Sequence, residues 1–445
     1  MIAEPRLLDQ YTLSCLREAD PVVQHYRAFF AHLDWTQIDE QDAARHKRGP
    51  RPHPKRAYIK AFLVGLCEGK PHRTQLRLFL LRHPWLVLEL GFRPQTQTPQ
   101  AACSPYGFDV EGTVPSDRWL RAQLQHFDEA LFQSLLVQTV QALQQEIPGL
   151  GETVAFDVKH IFAWVRENND QVYVKGRFDV THIPKGDPDC RLGVKKSSNQ
   201  VQADGSTKEK KVSLFGYGSG VAACTDPVYG DVVLAEFTQP FNEGDVTYFR
   251  RLYDQVVLAI DTYPINVTAD AAFDAWYIYQ RALLLGGIAA IPLNQHAHPL
   301  YERQADGTPL CPEKLPMTAH FQFKHTNGYL AQRFRCPLLF PEKTGQSCPH
   351  EQFLKGRGCV KDVNWERGGQ MRVTLDRDGP LYHAIYNQRT CAERINSQAQ
   401  AKGIERPHVR NGRSVAHLNT LIYILVNVQT LEKAKTINAQ LLHMK

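Results

Sequence analysis

The chain has no uninterrupted apolar run of about twenty residues, the length a membrane-spanning helix needs. Its most hydrophobic short segment, LNTLIYILVNV at 418–428, falls well short. The opening MIAEPRLLDQ has no basic cluster leading into an apolar stretch, so no signal peptide is expected and a cytoplasmic, nucleoid-associated prokaryotic location is. There is no GxxxxGK[ST] loop and no GxGxxG fingerprint, which removes the usual phosphate cradles for a nucleotide cofactor. No CxxC pair occurs among the ten cysteines, and no internal repeat or strict heptad is present. Ten cysteines in 445 residues do not make a disulfide scaffold.

What the chain does have is core material. Hydrophobic residues reach 43% and aromatics 10%, too many for a disordered chain, and the length calls for two or three domains. The formal charge of +6 is too small to demand a polyanionic partner, but its distribution says more. Basic stretches recur at 45–60, 195–196, 208–211 and 405–413, and such patches can converge into one groove that tracks a phosphate backbone. Taken one at a time, each could equally be a solvated loop.

Apolar spacings of three and four residues predict helices over 57–68, 72–90 and 118–146, with Ser116 a cap in VPSDRW, so 1–150 reads as a helical, DNA-binding domain. The pattern changes after Glu152. TVAFDV (153–158), QVYVKGRFDV (171–180), KVSLFGYGSGVAAC (211–224) and DVVLAEF (231–237) have strand composition, with a polar loop expected over 184–210. A helix over 245–261, a strand at 264–270, a helix over 271–286 and a strand at 288–293 then predict parallel pairing, hence a mixed sheet in an α/β domain over 151–294. Residues 295–381 are rich in Pro, Gly, Cys and His and read as an inserted, β-containing subdomain in which QMRVTL (370–375) is strand-like. Helical periodicity returns over 382–445.

Three acidic residues stand out. Asp157 lies in an otherwise apolar strand, where a carboxylate is costly without a metal or a partner. Asp270 closes a second strand just before a helix, a position that also suits a simple helix cap, and Asp274 competes with it four residues on. Glu393 follows Tyr386 and Arg389 at spacings that put all three along one face of a single helix, although an Arg389–Glu393 ion pair would explain that spacing equally well. Two aspartates and a glutamate are hard oxygen donors suited to two Mg²⁺ or Mn²⁺ ions, which serve phosphoryl transfer by activating the nucleophile and stabilising the leaving oxygen.

The blocks VAFDVKH, VTADAAFDAWYIYQ and YNQRTCAERINS resemble the catalytic blocks of bacterial insertion-sequence DDE transposases, in the group whose last block carries a Tyr-x2-Arg-x3-Glu signature. The resemblance covers roughly 150–435, with a looser likeness in HPKRAYIKAFLVGLCEGKP and VPSDRWL. It implies an RNase H-like core, with Asp157, Asp270 and Glu393 as metal-holding catalytic residues and Tyr386 and Arg389 on the DNA backbone. It also implies a lysine seven residues after the glutamate, where this chain has Gln400, with Lys402 two positions further on. His160, three residues after Asp157, is a further candidate for DNA contact. The expected activity is magnesium-dependent DNA cleavage at terminal inverted repeats and strand transfer to target DNA, by a homodimer on DNA. Two other readings stay open: a nuclease of the same fold without strand transfer, and a transposase-derived DNA-binding protein that has lost its chemistry.

Cys311, Cys336, Cys348 and Cys359 cluster in the insertion, with His320 and His350 nearby, and form a candidate structural zinc site whose spacings are loose. The same segment carries Phe321, Phe323, Lys324, His325, Tyr329, Arg333, Phe334 and Arg335, a mixture that could offer a cationic face to DNA, though most of its aromatics suit a core better.

Overall fold

A computed structural model describes residues 9–38, 52–96, 105–201, 207–294 and 301–443, with side chains undescribed at 195–201, 207–210 and 443. The basic residues at 45–51 and the lysine side chains at 195–196, 208 and 210 therefore lie outside the described part. The fold is α/β, with a mixed sheet, flanking helices and an all-helical region. The chain divides into two compact units, the first comprising Met1–Gly151, Asp157–Thr262 and Thr390–Lys445, the second Glu152–Phe156 and Tyr263–Arg389.

The first unit begins with helices α1 (Gln10–Ala19), α2 (Pro21–Phe30), α3 (Lys55–Cys67), α4 (Arg73–Arg82), α5 (Pro84–Glu89), α6 (Val110–Thr113), α7 (Asp117–His126) and α8 (Glu129–Glu146). Ser116 caps α7 as its sequence suggests, its Oγ accepting from the Trp119 N–H at 3.3 Å. Strand β1 (Thr153–Phe162) opens the sheet; β2 (Arg191–Val201), β3 (Thr207–Asp226) and β4 (Gly230–Pro240) follow, and α9 (Phe249–Ile260) closes the run. Both β2 and β4 pair antiparallel with β3, and β3 also neighbours β1.

Gly218 and Gly220 in β3 explain the FGYGSG sequence. A Cβ at either position would fall 2.2–2.3 Å from the Tyr248 side chain, so only glycine lets that ring lie against the strand.

The remaining helices are α14 (Thr390–Ala401) and α15 (Gly412–His443), the latter packed against α8, β4 and α3. From Leu421 to Val426 every side chain of α15 is buried, the mark of a helix enclosed on all sides. Asn427 continues that stretch. Its amide donates to the Val233 carbonyl at 2.8 Å and accepts from the Val233 N–H at 2.9 Å, beside the register shift where β4 departs from regular pairing with β3.

In the second unit the opening residues of β1 pair in parallel with β5 (Asn266–Ala269), which pairs in parallel with β6 (Ala289–Ala290) across α10 (Trp276–Leu284). This is the strand–helix–strand arrangement its periodicity predicts. Three antiparallel strands follow, β7 (Thr318–Lys324), β8 (Leu330–Arg335) and β9 (Val360–Asn364), with the short α11 (Glu351–Leu354) between the last two. Helices α12 (Arg367–Thr374) and α13 (Pro380–Tyr386) complete the unit.

Four local expectations are corrected. Residues 171–180 form turns instead of a strand; Tyr173, Phe178 and Val180 are exposed, and Arg177 folds back to bond the carbonyls of Asn169 and Val172. The loop expected over 184–210 contains β2 and the start of β3, because cross-strand pairing there overrides a polar composition. Residues 370–374 are helical within α12, where Gly368 comes so close to α10 that a Cβ would lie 2.2 Å from the Trp276 carbonyl oxygen. The single helix expected to carry Tyr386, Arg389 and Glu393 is three consecutive pieces: α13, a 3₁₀ turn over Asn387–Arg389, and α14. Among the described residues no helix is long and apolar enough to cross a membrane.

Candidate functional site

In the first unit, β1 and α14 meet through paired polar side chains. Asp157 is half-buried, and its Oδ2 accepts from Asn396 Nδ2 at 2.8 Å. Two residues on, Lys159 lies on the same strand face. It donates to Gln400 Oε1 at 3.3 Å and pairs with Glu405 at 3.4 Å. Glu393, Asn396 and Gln400 are spaced three and then four residues apart, so they share one face of α14. The exposed Glu393 is thus one helical turn from the amide that holds Asp157.

Helix α14 is fixed from two sides. Cys391, Ala392, Ile395 and Ala399 bury its apolar face, and Arg394 forks onto Asp231 of β4 at 2.8 and 2.6 Å with a further bond to Thr225. The Asp231 carboxylate raises the already high pKa of that guanidinium. Asn396 Oδ1 is buried with no hydrogen-bond partner, an orphaned oxygen on the amide that binds Asp157. An orphaned oxygen of this kind suits a hard cation or its bound water.

A buried polar network joins β3, β4 and α15. Glu236 is almost fully buried and accepts from Thr238 at 2.5 Å, Thr420 at 2.7 Å and Ser219 at 3.3 Å. Burial pushes its pKa up to about 7, against the opposing pull of those donors. Tyr423, within hydrogen-bond reach of Ser219 at 3.4 Å, is in electrostatic range of both Glu236 and Asp157, and burial raises its phenol well above the usual range.

His160 packs edge-on to Phe241, centroids 4.4 Å apart. Lys402 is half-buried; burial lowers its pKa and the nearby Cys67 opposes that shift. The position that the family resemblance gives to a lysine is filled by Gln400, whose partner Lys159 brings an ammonium to it from the strand.

In the second unit, Asp270 caps the 3₁₀ turn over Ala271–Phe273, its carboxylate accepting from the Ala272 N–H at 2.9 Å. The register of β1 with β5 pairs Phe156 with Ala269, so Asp157 and Asp270 are each the next residue in the chain after a member of that pair. Asp274 has a different environment. Its side chain is fully buried and holds Arg372 through two bonds of 2.7 and 2.6 Å, the Tyr279 hydroxyl at 3.0 Å and the Asn294 N–H at 2.8 Å. Arg377 extends the network onto the Tyr279 hydroxyl at 3.0 Å. With its lone pairs committed to this node, Asp274 is an internal structural residue. Tyr386 stacks on Tyr382, and the Arg389 guanidinium lies 5.7 Å from the Tyr386 ring centroid, within cation–π range.

The sequence reading missed Asn396, Lys159 and Arg372. The first two were accessible in principle: Asn396 is three residues from Glu393 on a helix, and Lys159 two from Asp157 on a strand. Arg372 was not, since 98 residues separate it from Asp274. Among the described residues no group of three or more His, Cys, Asp or Glu side chains has the arrangement of a metal site. Compared with known proteins, the chain matches no family model, no curated protein and no solved structure.

Proposed function

We propose that this chain is a DNA phosphoryl-transfer enzyme of the transposase kind, with Asp157, Asp270 and Glu393 as its catalytic carboxylates. The observation that carries this reading is the pairing of Asp157 with Asn396 on the helix face that also bears Glu393. It is supported by the register that makes Asp157 and Asp270 successors of a paired Phe156 and Ala269.

The three carboxylates, with Asn396 Oδ1, are the oxygen donors that would hold two Mg²⁺ or Mn²⁺ ions. Such ions, when bound, lower the cost of forming a hydroxide or alkoxide nucleophile and of releasing an alkoxide. The chain's own residues supply positioning. Asn396 fixes the rotamer of Asp157, the Arg394–Asp231 fork holds α14 in place, and Tyr386 and Arg389 offer a hydroxyl and a guanidinium to a phosphate. In the first step water displaces the 3′-oxygen of a phosphodiester at the element's end, leaving a free 3′-hydroxyl and a 5′-phosphate. In the second that hydroxyl attacks a target phosphodiester and releases a target 3′-hydroxyl, so the number of phosphodiester bonds is conserved. Two ends processed together call for a homodimer on DNA.

The test is cleavage of labelled DNA carrying the flanking inverted repeats, in Mg²⁺ or Mn²⁺. Asp157→Asn, Asp270→Asn and Glu393→Gln are each expected to abolish nicking while DNA binding persists. Tight binding without cleavage by the wild-type protein would favour a transposase-derived binding protein. Cleavage without joining would identify a nuclease.

A further inference from the structure

The second unit contains a cluster whose composition is unusual for simple packing. Cys311, Met317, Phe334, Cys336, Leu338, Cys348, Cys359 and Val363 are buried together, so half of this small core is thiol. None of the four cysteines is in a disulfide, and Cys359 lies in electrostatic range of the other three.

Two of these thiols are presented by tight turns. The Lys314 N–H bonds back to the Cys311 carbonyl at 2.9 Å, with Lys314 at φ 62°, and the Leu339 and Phe340 N–H groups return to the Cys336 carbonyl at 3.2 and 3.0 Å. A third turn brings Cys359 in. Gly358 has φ +68°, and a Cβ there would lie 2.7 Å from Cys336 Cβ, so glycine is what lets the chain at 358–359 close onto Cys336. An ammonium and a ring nitrogen are at hand. Lys361, bonded to the Leu310 carbonyl at 2.8 Å, is in electrostatic range of Cys311 and Cys359, and His350 Nδ1 is 3.4 Å from Cys359 Sγ.

We propose that Cys311, Cys336, Cys348 and Cys359 bind one structural zinc ion as four thiolates, with Lys361 offsetting part of the charge. Binding releases four protons as four thiols become thiolates around Zn²⁺, leaving a site of net charge −2, with no oxidation. The thiols share a cluster without standing in metal geometry, so closure on the ion requires side-chain rotation within the turns. Packing alone gives no reason to gather four cysteines in one small core, whereas a metal crosslink does. The inference stands apart from the phosphoryl-transfer reading.

The test uses the full chain, expressed with zinc and analysed by elemental mass spectrometry. About one zinc per chain is expected. Exchange for Co²⁺ should give the intense visible bands and near-ultraviolet thiolate charge transfer of a tetrahedral site. Cys336→Ser and Cys348→Ser should each lose the Co²⁺ spectrum and weaken zinc retention at least about tenfold. Cys67→Ser, in the first unit, should change neither. Because a variant could lose metal simply by misfolding, the wild-type stoichiometry and spectrum carry the test. A wild-type protein with substoichiometric zinc and no thiolate charge transfer on adding Co²⁺ would overturn the proposal, as would stoichiometric iron.

Discussion

The two units solve the stability problem by different means. The first closes around α15, whose Leu421–Val426 stretch is buried on every side. The second contains, among its buried residues, one apolar group around Ala290, Tyr382 and Ile385 and one around the four cysteines. Between its helices it places an ion pair in which the buried Asp274 carboxylate meets the partly buried Arg372, extended through Tyr279 to Arg377. Broad apolar burial tolerates local damage, because neighbours relax. A charge node does not, because removing one partner strands the other.

That contrast sets the order of expected effects. Arg372→Ala should have the largest, about 3–5 kcal/mol from the uncompensated Asp274 carboxylate, read as a shift in the denaturant midpoint of the second unit. The double replacement Asp274→Leu with Arg372→Met should recover much of that loss; a single substitution no worse than the double would mean the node does not hold this unit. Leu425→Ala in α15 comes next, at about 3 kcal/mol, with a cost set by how far the surrounding helices collapse into the cavity. A loss confined to the second unit's transition would contradict the assignment of α15 to the first.

An effect comparable to that cavity's is pH-dependent and belongs to the first unit. Burial raises Glu236 from 4.5 in the unfolded chain to about 7 in the folded protein, so folding favours its protonated form. The associated stability is fully present below about pH 4.5 and is lost as pH rises through about 7, up to about 3 kcal/mol in all. Glu236→Gln should flatten the stability profile between pH 5 and pH 8. An unchanged slope in the variant would show that other groups set it.

Much of the fold was legible where periodicity is local. The amino-terminal helices, the Ser116 cap and the β5–α10–β6 crossover follow from spacing and capping chemistry within a few residues. Elements fixed from afar were not. Residues 191–201 have a loop's composition yet form a strand by pairing with β3, and 370–375 have strand composition yet lie mostly in a helix, ending at Thr374, whose Arg372 meets an aspartate far away in sequence. The site divides in the same way. Asp157 was conspicuous because a carboxylate in an apolar strand needs an explanation, while its partner Asn396 has no unusual local signature. For Asp270 the structure supplies the plain capping role directly, and for Asp274 it supplies the Arg372 partner, which only the folded chain displays.

Strand β1 has one more consequence, in time. Its opening residues Val154, Ala155 and Phe156 are buried in the folded protein, yet their parallel partner β5 lies 113 residues further along the chain, as measured from Thr153 to Asn266. At a synthesis rate of about 5–20 residues per second, this apolar edge waits roughly 6–23 s on the ribosome before its mate emerges. During that wait it can pair with any exposed strand. The yield of correctly folded chains should therefore depend on translation speed between β1 and β5, and on holdase chaperones that cover this short segment while it is exposed.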